Sequence, residues 1–468
     1  MHESRFAHRR PIMAGQSPRF RTHCAALLAS VVAGVAGAPT TTHAGNITPY
    51  AQSDGAAMTG GAVVAMTRST GAVWYNPAGL AKTVRSRLDL STSAFSLRAR
   101  DYPNAMQTVL PDGTERGTSL DSLDLSIVPT ALSGVVAIEP SLAWGFGVFV
   151  NESDSFSLQG GPHVTVDGGT TLQARGRIDE SVTTTNVGAA IGWQVVPGLR
   201  LGVSLFGSAR ATSERGEMTV EATIAGDRYT AFADLRDART QFGLHGVVGL
   251  QWQPTDALHI GVVLRLPTLA LVEIGTAEIF TGGPAAPVGD DPVRVDLGDR
   301  DAALSDPALT VPGRVVLGVS YSYGQGWISV EGDVSHPLDD ANLAGVWNAR
   351  VGGVYRASRD VTLGAGLFTD RSRTRLNRFP AEDVDFYGAT FGIAFNRRID
   401  LAEHEEVGSM VISTSVALRY AYGSGEATGV RFDLGELVSA GRVGIGVGQP
   451  VSVTVHELAV QLSTGLYF

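Results

Sequence analysis

Apolar residues alternate with small or polar residues along many segments of this chain. In the last segment, residues 453–468, one face of an extended strand carries Leu458, Val460, Leu462, Leu466 and the terminal Phe468. The other face carries Glu457, Ala459, Gln461, Ser463 and Gly465. Alternation with a period of two predicts a β-strand with one apolar side.

Fourteen segments fit this reading. They are residues 88–99, 122–137, 141–151, 176–195, 199–211, 239–253, 257–266, 313–323, 326–336, 346–357, 361–370, 384–397, 408–422 and 454–468. A soluble sandwich could show the same period. The connections favour another class, because short links alternate with long ones at 100–121, 152–175, 212–238, 267–312, 337–345, 371–383 and 423–453.

Alternating short and long links are typical of an outer-membrane barrel with short periplasmic turns and long external loops. A chain that ends on an aromatic residue fits such a barrel, whose last strand pairs with its first. The sequence therefore predicts an all-β protein, a transmembrane antiparallel β-barrel of about 14 strands spanning residues 88–468. Its expected location is the outer membrane of a Gram-negative bacterium.

The first 44 residues predict an export signal. Arginines precede an apolar run at residues 24–36, and Thr42, His43 and Ala44 provide a small-residue cleavage site. Removing this part takes away five arginines and Glu3, so the formal charge changes from −10 to −14 (five minus one is four). An acidic mature chain argues against nucleic-acid binding. The single cysteine, Cys24, lies in the signal, so no disulfide is expected.

Residues 45–87 precede the first strand and are rich in small residues. A fourteen-stranded barrel encloses more space than its own side chains fill. We therefore expect this segment to lie inside the lumen as a plug, with a disordered periplasmic leader as the alternative.

Part of this segment, GAAMTGGAVVAMTRSTGAVWYNPAGL at residues 55–80, resembles the N-terminal hatch of the FadL-like long-chain fatty-acid transport family. The strongest match is Asn76-Pro77-Ala78-Gly79-Leu80. Later stretches are similar to the same family: residues 252–254, 258–267, 311–314 and 364–370. NPAG-type segments also resemble those of outer-membrane proteins that assist secretion.

The family resemblance implies passive uptake of hydrophobic molecules, such as long-chain fatty acids or hydrocarbons. They would bind in a pocket, and hatch rearrangement would let them leave sideways through the barrel wall. The resemblance places Asn76, Pro77 and Ala78 at the gate, near an inward kink of the third strand. Gly145 and Gly147 in that strand would tolerate a bend or a close backbone approach. The family resemblance also implies a monomer that needs no cofactor.

The longest external link offers an apolar capture surface, formed by Leu266, Leu269, Leu271, Ile274 and Phe280. The alternative is that residues up to Ile274 only extend the seventh strand. Arginines at 371, 373 and 375 would share a side of an extended segment. They would bind lipopolysaccharide phosphates, attract a ligand carboxylate in the lumen, or remain solvated.

Three other functions compete with hydrophobic uptake. An enzyme is not supported, because the histidines are scattered and no G-x-S-x-G turn is present. No metal site is predicted. An anchor or assembly factor for secreted proteins and a general porin keep the same fold and remain alternatives. Expected partners are hydrophobic small molecules, outer-membrane lipid, lipopolysaccharide and the barrel-assembly machinery.

Overall fold

A computed structural model describes most of the chain after residue 50. The described residues are 51–110, 112–166, 170–224, 227–282, 287–288, 291–292, 294–296, 311–338, 343–376, 382–400, 409–433 and 442–468. The predicted export signal, residues 1–44, lies outside them.

The described residues are mostly β-strand. The strands are β1 (Arg87–Val109), β2 (Glu115–Glu139), β3 (Leu142–Gly160), β4 (His163–Val166), β5 (Thr170–Val196), β6 (Leu199–Ile224), β7 (Asp227–Trp252), β8 (Leu258–Arg265), β9 (Leu269–Gly282), β10 (Pro287–Val288), β11 (Asp291–Pro292), β12 (Arg294–Asp296), β13 (Arg314–Tyr323), β14 (Gly326–Ser335), β15 (Trp347–Arg356), β16 (Val361–Asp370), β17 (Glu382–Asp400), β18 (Ser409–Asp433) and β19 (Arg442–Tyr467).

The sheet closes on itself, because β19 pairs antiparallel with β1 from Arg87↔Tyr467 to Asp101↔Thr454. β8 and β9 both pair with β7 and form one line interrupted at residues 266–268. Among the described residues, fifteen strands have eight or more residues, and they occupy fourteen positions around the barrel. The predicted all-β barrel is confirmed.

Side chains alternate between the two faces of the wall. In β19, Glu457 and Ala459 are buried toward the lumen, whereas Leu458 and Leu462 are exposed on the outside. The outer faces of β2, β6, β13 and β16 carry exposed Ile127, Leu205, Leu317 and Leu367 in the same way. Lipid covers such an apolar outer band in an outer-membrane barrel.

The strands are longer than the sequence predicts. β6 and β7 pair continuously up to Ile224↔Asp227, through the predicted loop 212–238. β5 likewise begins at Thr170, inside the predicted loop 152–175. There the outer face becomes polar while apolar residues such as Leu172, Met218 and Val220 face the lumen, and backbone pairing continues above the membrane. A membrane strand needs only about 9–11 residues, so these hairpins extend well beyond the lipid.

The inner segment, residues 51–83, consists of short helices packed against the lumen side of the strands. It contains α-helices Asp54–Met58 and Ala72–Tyr75, and 3-10 helices Ser69–Gly71 and Pro77–Lys82. Ser53 caps the first helix, because its side chain accepts a hydrogen bond from the Ala56 N–H. No helix in the described residues is long and apolar enough to cross a membrane.

Candidate functional site

Asn76, Pro77 and Ala78 fix the inner segment to the wall formed by β5, β6 and β7. The Asn76 side-chain amide donates to the Val64 carbonyl at 2.9 Å and to the Leu250 carbonyl of β7 at 3.0 Å. Its oxygen accepts from the Ala78 N–H, and so caps the helix that begins at Pro77. Asn76 is fully buried. This geometry holds backbone in place, since each polar atom of the amide has a partner.

Glycines on the strands make room for this backbone. A Cβ at Gly202 of β6 would lie 2.3 Å from the Pro77 carbonyl carbon, and one at Gly192 of β5 would lie 2.4 Å from the Pro77 oxygen. The same holds further around the lumen, where a Cβ added at Gly352 or at Gly366 would lie 2.2 Å from a backbone atom of Thr59. Only glycine permits such close approach of two backbones. The wall from β5 to β16 is thus shaped to the inner segment.

A buried carboxylate completes this attachment. Glu331 of β14 accepts hydrogen bonds from the N–H groups of Val63 and Val64, at 3.1 and 2.9 Å. Its other oxygen lies 3.4 Å from Arg350, which also pairs with Asp333 at 2.6 Å. Charge-assisted bonds to backbone N–H groups are among the stronger contacts inside proteins.

The backbone pairing that forms the barrel wall is incomplete between β2 and β3. Their described pairing runs from Glu139↔Leu142 to Ala131↔Phe149 and ends there. Above this point β2 pairs with β1, and β3 pairs with β5. Pro129 of β2, which has no N–H to donate, lies just beyond the last pair. Residues 115–130 of β2 and 150–160 of β3 therefore have no described backbone pairing with each other, and this stretch is called the gap.

The inner segment reaches this gap through Gln52. β3 has a bulge between Val150 and Glu152, one residue above the last pair with β2. The Gln52 side chain donates to the Val150 carbonyl at 2.9 Å. Asn186 of β5 donates to the Asn151 side chain at 2.5 Å. A bulge leaves backbone groups unpaired, and Gln52 supplies a partner for one of them, whereas Asn186 binds the side chain of the bulged Asn151.

Gly145 and Gly147 do not form the bend. Both lie in regular pairs with β2 and β5, and the bulge follows at Asn151. A Cβ at Gly145 would lie 2.6 Å from Cγ2 of Val73, and one at Gly147 would lie 2.5 Å from the Phe149 ring. These glycines provide space, Gly145 for the inner segment. The predicted gate residues Asn76, Pro77 and Ala78 contact β5, β6 and β7.

Ion pairs hold the upper part of β3 from the inside. Asp154 of β3 lies 2.6 Å from Arg98 and 2.7 Å from Arg100, both on β1. Arg100 also pairs with Asp124 of β2 at 2.9 Å. These contacts join β3 to β1 across the lumen side of β2. They replace backbone pairing along the gap.

A central cavity lies between the inner segment and the upper part of the lumen. Its volume is about 120 Å³, and its lining combines aromatic and basic side chains, including Trp74, Tyr75, His245 and Arg265. The Trp74 ring packs on Phe149 at 5.3 Å, next to the gap. A cavity of about 150 Å³ holds a benzene-sized molecule.

Above the central cavity the lumen contains an apolar cluster. Tyr102, Met106, Leu120 and Phe432 belong to one buried cluster formed by the outer parts of several strands. A second cavity of about 70 Å³ lies among them, next to Phe156 of β3. Apolar side chains thus continue from the external end to the gap.

The predicted capture residues lie on β9, which continues the line of β8. Leu269 pairs with Leu244, and Ile274 pairs with Thr240. Leu269, Leu271 and Ile274 are all more than half exposed. The backbone of these residues is a strand that pairs with β7, as the strand-extension alternative predicts. Leu269 lies on the outer face of the barrel beside Leu244. Phe280 lies in the same strand.

Arg371, Arg373 and Arg375, which the sequence places on one side of the link 371–383, have three different surroundings. Arg371 stacks on Trp347, with its guanidinium carbon 4.1 Å from the ring centroid. Arg373 is buried and lines the central cavity. Burial lowers the pKa of Arg373 to about 10. Arg375 is exposed.

Sequence reasoning did not find Gln52, Asn151, Asp154 or Arg265. Polar residues in a lumen-facing strand are common, so their type carried no signal. Pro129 did carry one, because a proline inside a strand indicates an unpaired edge. Within the described residues, no group of histidine, cysteine and acidic side chains could hold a metal ion.

Comparison with known proteins agrees with this architecture. Residues 35–266 match the family model described as outer membrane protein transport protein (OMPP1/FadL/TodX). No curated protein sequence matches the chain.

Solved structures that are similar to this chain include the following three. A Pseudomonas aeruginosa FadL homologue has 13% identity and a TM-score of 0.55, over 90% of this chain and 99% of that chain. The P. putida toluene transporter TodX has the same identity and coverage and a TM-score of 0.54. The CymD monoaromatic hydrocarbon channel has 14% identity and a TM-score of 0.50, over 92% and 99%. In its family match and its barrel, the chain is similar to the OMPP1/FadL/TodX family of outer membrane transport proteins.

Proposed function

We propose that the protein carries hydrophobic molecules passively across the outer membrane and releases them sideways through the gap between β2 and β3. The single observation that carries this proposal is the end of the β2–β3 pairing at Ala131↔Phe149, beside the aromatic contact of Trp74. The inner segment acts as the hatch. The protein works as a monomer.

The energetics favour an apolar path over an aqueous pore. A hydrocarbon gains roughly 0.8 kcal/mol per buried CH₂ group. The external apolar cluster and the aromatic wall of the central cavity give such burial in succession. At the gap, Leu123, Leu125 and Ile127 are exposed on the outer face of β2. A ligand leaving there exchanges one apolar environment for another, so no energy source is required.

The substrate class includes neutral hydrocarbons and long-chain fatty acids. TodX is described as a toluene transporter and CymD as a monoaromatic hydrocarbon channel. In this chain, Arg265 lines the central cavity and makes no salt bridge with any described residue. Its guanidinium instead lies over the Trp74 ring at 4.5 Å. Arg265 also donates a hydrogen bond to the Trp74 carbonyl oxygen. An arginine without a salt-bridge partner among the described residues suits a carboxylate end group, and the aromatic neighbours suit a ring.

A disulfide between the hatch and the wall tests the proposal. Val73→Cys with Gly145→Cys joins the inner segment to β3, because a Cβ at 145 lies 2.6 Å from Cγ2 of Val73. The mature chain has no native cysteine, so only this bond can form. We expect the oxidised pair to abolish uptake of radiolabelled oleate and toluene in cells, and a reductant to restore it.

The two single-cysteine variants are the controls, since they carry each substitution without the bond. Quantitative disulfide formation with unchanged uptake of both molecules would contradict a moving hatch. Rapid permeation of small sugars through the native protein would favour a porin instead.

A further inference from the structure

Three basic side chains lie together below the inner segment, at the end of the barrel with short turns. Arg200 of β6 and His259 of β8 each face the lumen two residues from a glycine that contacts the segment. These glycines are Gly202, which meets Pro77, and Gly261, whose Cβ would lie 2.5 Å from the Val64 oxygen. Lys82 ends the helix that begins at Pro77.

These side chains lack partners. His259 is only 7% exposed, and its Nδ1 atom has no hydrogen-bond partner. The Nε and Nη1 atoms of Arg200 are buried without a partner. No salt bridge in the described part of the chain involves Arg200 or Lys82. Unpaired buried donors are uncommon in native proteins and indicate a missing acceptor.

The surrounding charges have one sign. The charges that act on Lys82 are those of Arg200 and Arg68, and those that act on His259 are Lys82, Arg200 and Arg68. Burial first, and then these two arginines, lower the pKa of Lys82 to about 7. About half of the Lys82 amines are therefore neutral at pH 7, compared with almost none for an ordinary lysine.

We propose that Lys82, Arg200 and His259 form a binding site for an oxyanion, either a carboxylate or a phosphate group, on the short-turn side of the inner segment. Nε and Nη1 of Arg200 donate to the anion as a pair, Nδ1 of His259 donates a third bond, and Lys82 supplies charge. Exposed Arg68 stands at the rim.

An anion at this position joins three elements. Lys82 belongs to the inner segment, whereas Arg200 and His259 belong to the wall strands β6 and β8. With the site filled, the anion bridges the segment to the wall. With the site empty, the charge of Arg200 and that of protonated Lys82 repel each other across the same contact, while His259 is neutral because burial lowers its pKa to about 4. Occupancy therefore stabilises the closed position of the segment.

Lys82 is the only lysine of the chain, which gives a direct assay. The full-length protein in detergent is treated with acetic anhydride, and acetylation of Lys82 is followed by peptide mass spectrometry, which separates it from the amino terminus. The rate is measured from pH 6 to 9 with inorganic phosphate, acetate or phosphatidylglycerol micelles. Sodium chloride at equal ionic strength is the control for screening.

We expect phosphate to raise the pKa of Lys82 by about one unit, which slows acetylation about fivefold at pH 7. An effect of phosphatidylglycerol greater than that of phosphate identifies a lipid headgroup as the source, and the reverse identifies a free anion. Equal slowing by chloride would contradict an oxyanion site. So would unchanged rates in all three oxyanion conditions.

Substitutions test whether the slowing of Lys82 acetylation by phosphate depends on Arg200 and His259. Arg200→Gln is expected to remove most of the slowing by phosphate, judged as the ratio of rates with and without it. Arg359→Gln changes the same charge in an exposed turn and should keep the full effect. His259→Gln provides a second test if Arg200→Gln fails to fold. Retention of the fivefold effect in folded Arg200→Gln or His259→Gln protein would overturn the proposal.

Discussion

The inner segment meets the barrel in two different ways. Against β5 to β16 it lies on glycines, with backbone to backbone contacts such as Pro77 on Gly202. Against β2 and β3 it makes side-chain contacts, such as Gln52 with the Val150 carbonyl and Trp74 with Phe149. The backbone contacts with glycines fix the shape of the inner segment. The side-chain contacts with β3 could be replaced by contacts with a ligand. From this difference we propose that movement of the inner segment begins at the β2–β3 side.

The largest expected effect comes from filling the glycine side. In Gly202→Ala, the new Cβ lies 2.3 Å from the Pro77 carbonyl carbon and 2.4 Å from the Ala78 nitrogen. Overpacking of this kind costs about 3 kcal/mol and displaces the backbone. We expect a lower unfolding temperature, and faster permeation of small antibiotics into cells.

Gly207→Ala on the same strand is the matched control, because its Cβ would have no neighbour closer than 3.9 Å. If Gly202→Ala left both stability and permeation at the level of Gly207→Ala, the glycine side would not hold the segment. The comparison would then fail.

A smaller effect is expected from Asp154→Ala on the gap side. The substitution removes the ion pairs to Arg98 and Arg100, which keep other partners in Glu457 and Asp124. We expect destabilisation of about 2 kcal/mol, because the pairs are mostly buried. Hydrogen exchange should increase in residues 150–160.

Asp179→Ala serves for comparison with Asp154→Ala. Asp179 pairs with Arg177 at 2.7 Å on the exposed surface, where a pair contributes less than about 1 kcal/mol. Equal effects of the two substitutions would mean that the ion pairs along the gap do not hold β3.

The smallest expected effect comes from Gln52→Ala, which removes one hydrogen bond to β3 and costs about 1 kcal/mol. Hydrogen exchange should increase in residues 51–58 while residues 76–82 stay protected. Gln325→Ala in an exposed turn is the control. Loss of protection in residues 76–82 before 51–58 would reverse the proposed order of movement.

The architecture could be read from the sequence because lipid imposes a simple rule on it. The alternation of Leu458 and Leu462 with Glu457 and Gln461 required one apolar and one polar face, and the structure confirms it. The upper strand lengths could not be read in this way. Above the lipid the outer face becomes polar and apolar residues such as Met218 and Val220 face the lumen, so the membrane pattern no longer holds although the backbone still pairs.

The site was less accessible than the fold. The positions of Asn76 and Pro77 depend on which strands carry the facing glycines, and glycines such as Gly202 and Gly145 look alike in sequence. The bulge at Asn151 is set by pairing on only one side of β3. Pairing of this kind depends on contacts far apart in the chain, which a local pattern does not contain.

The fit between the glycines and the inner segment also constrains the order of assembly. With backbone atoms as close as 2.2 Å to the space of a Cβ, the finished barrel offers no slack through which a segment could be threaded. The segment directly precedes β1, and β1 closes the barrel against β19. We therefore expect residues 51–83 to lie within the curving sheet before β1 and β19 pair. The barrel then closes around the inner segment during assembly.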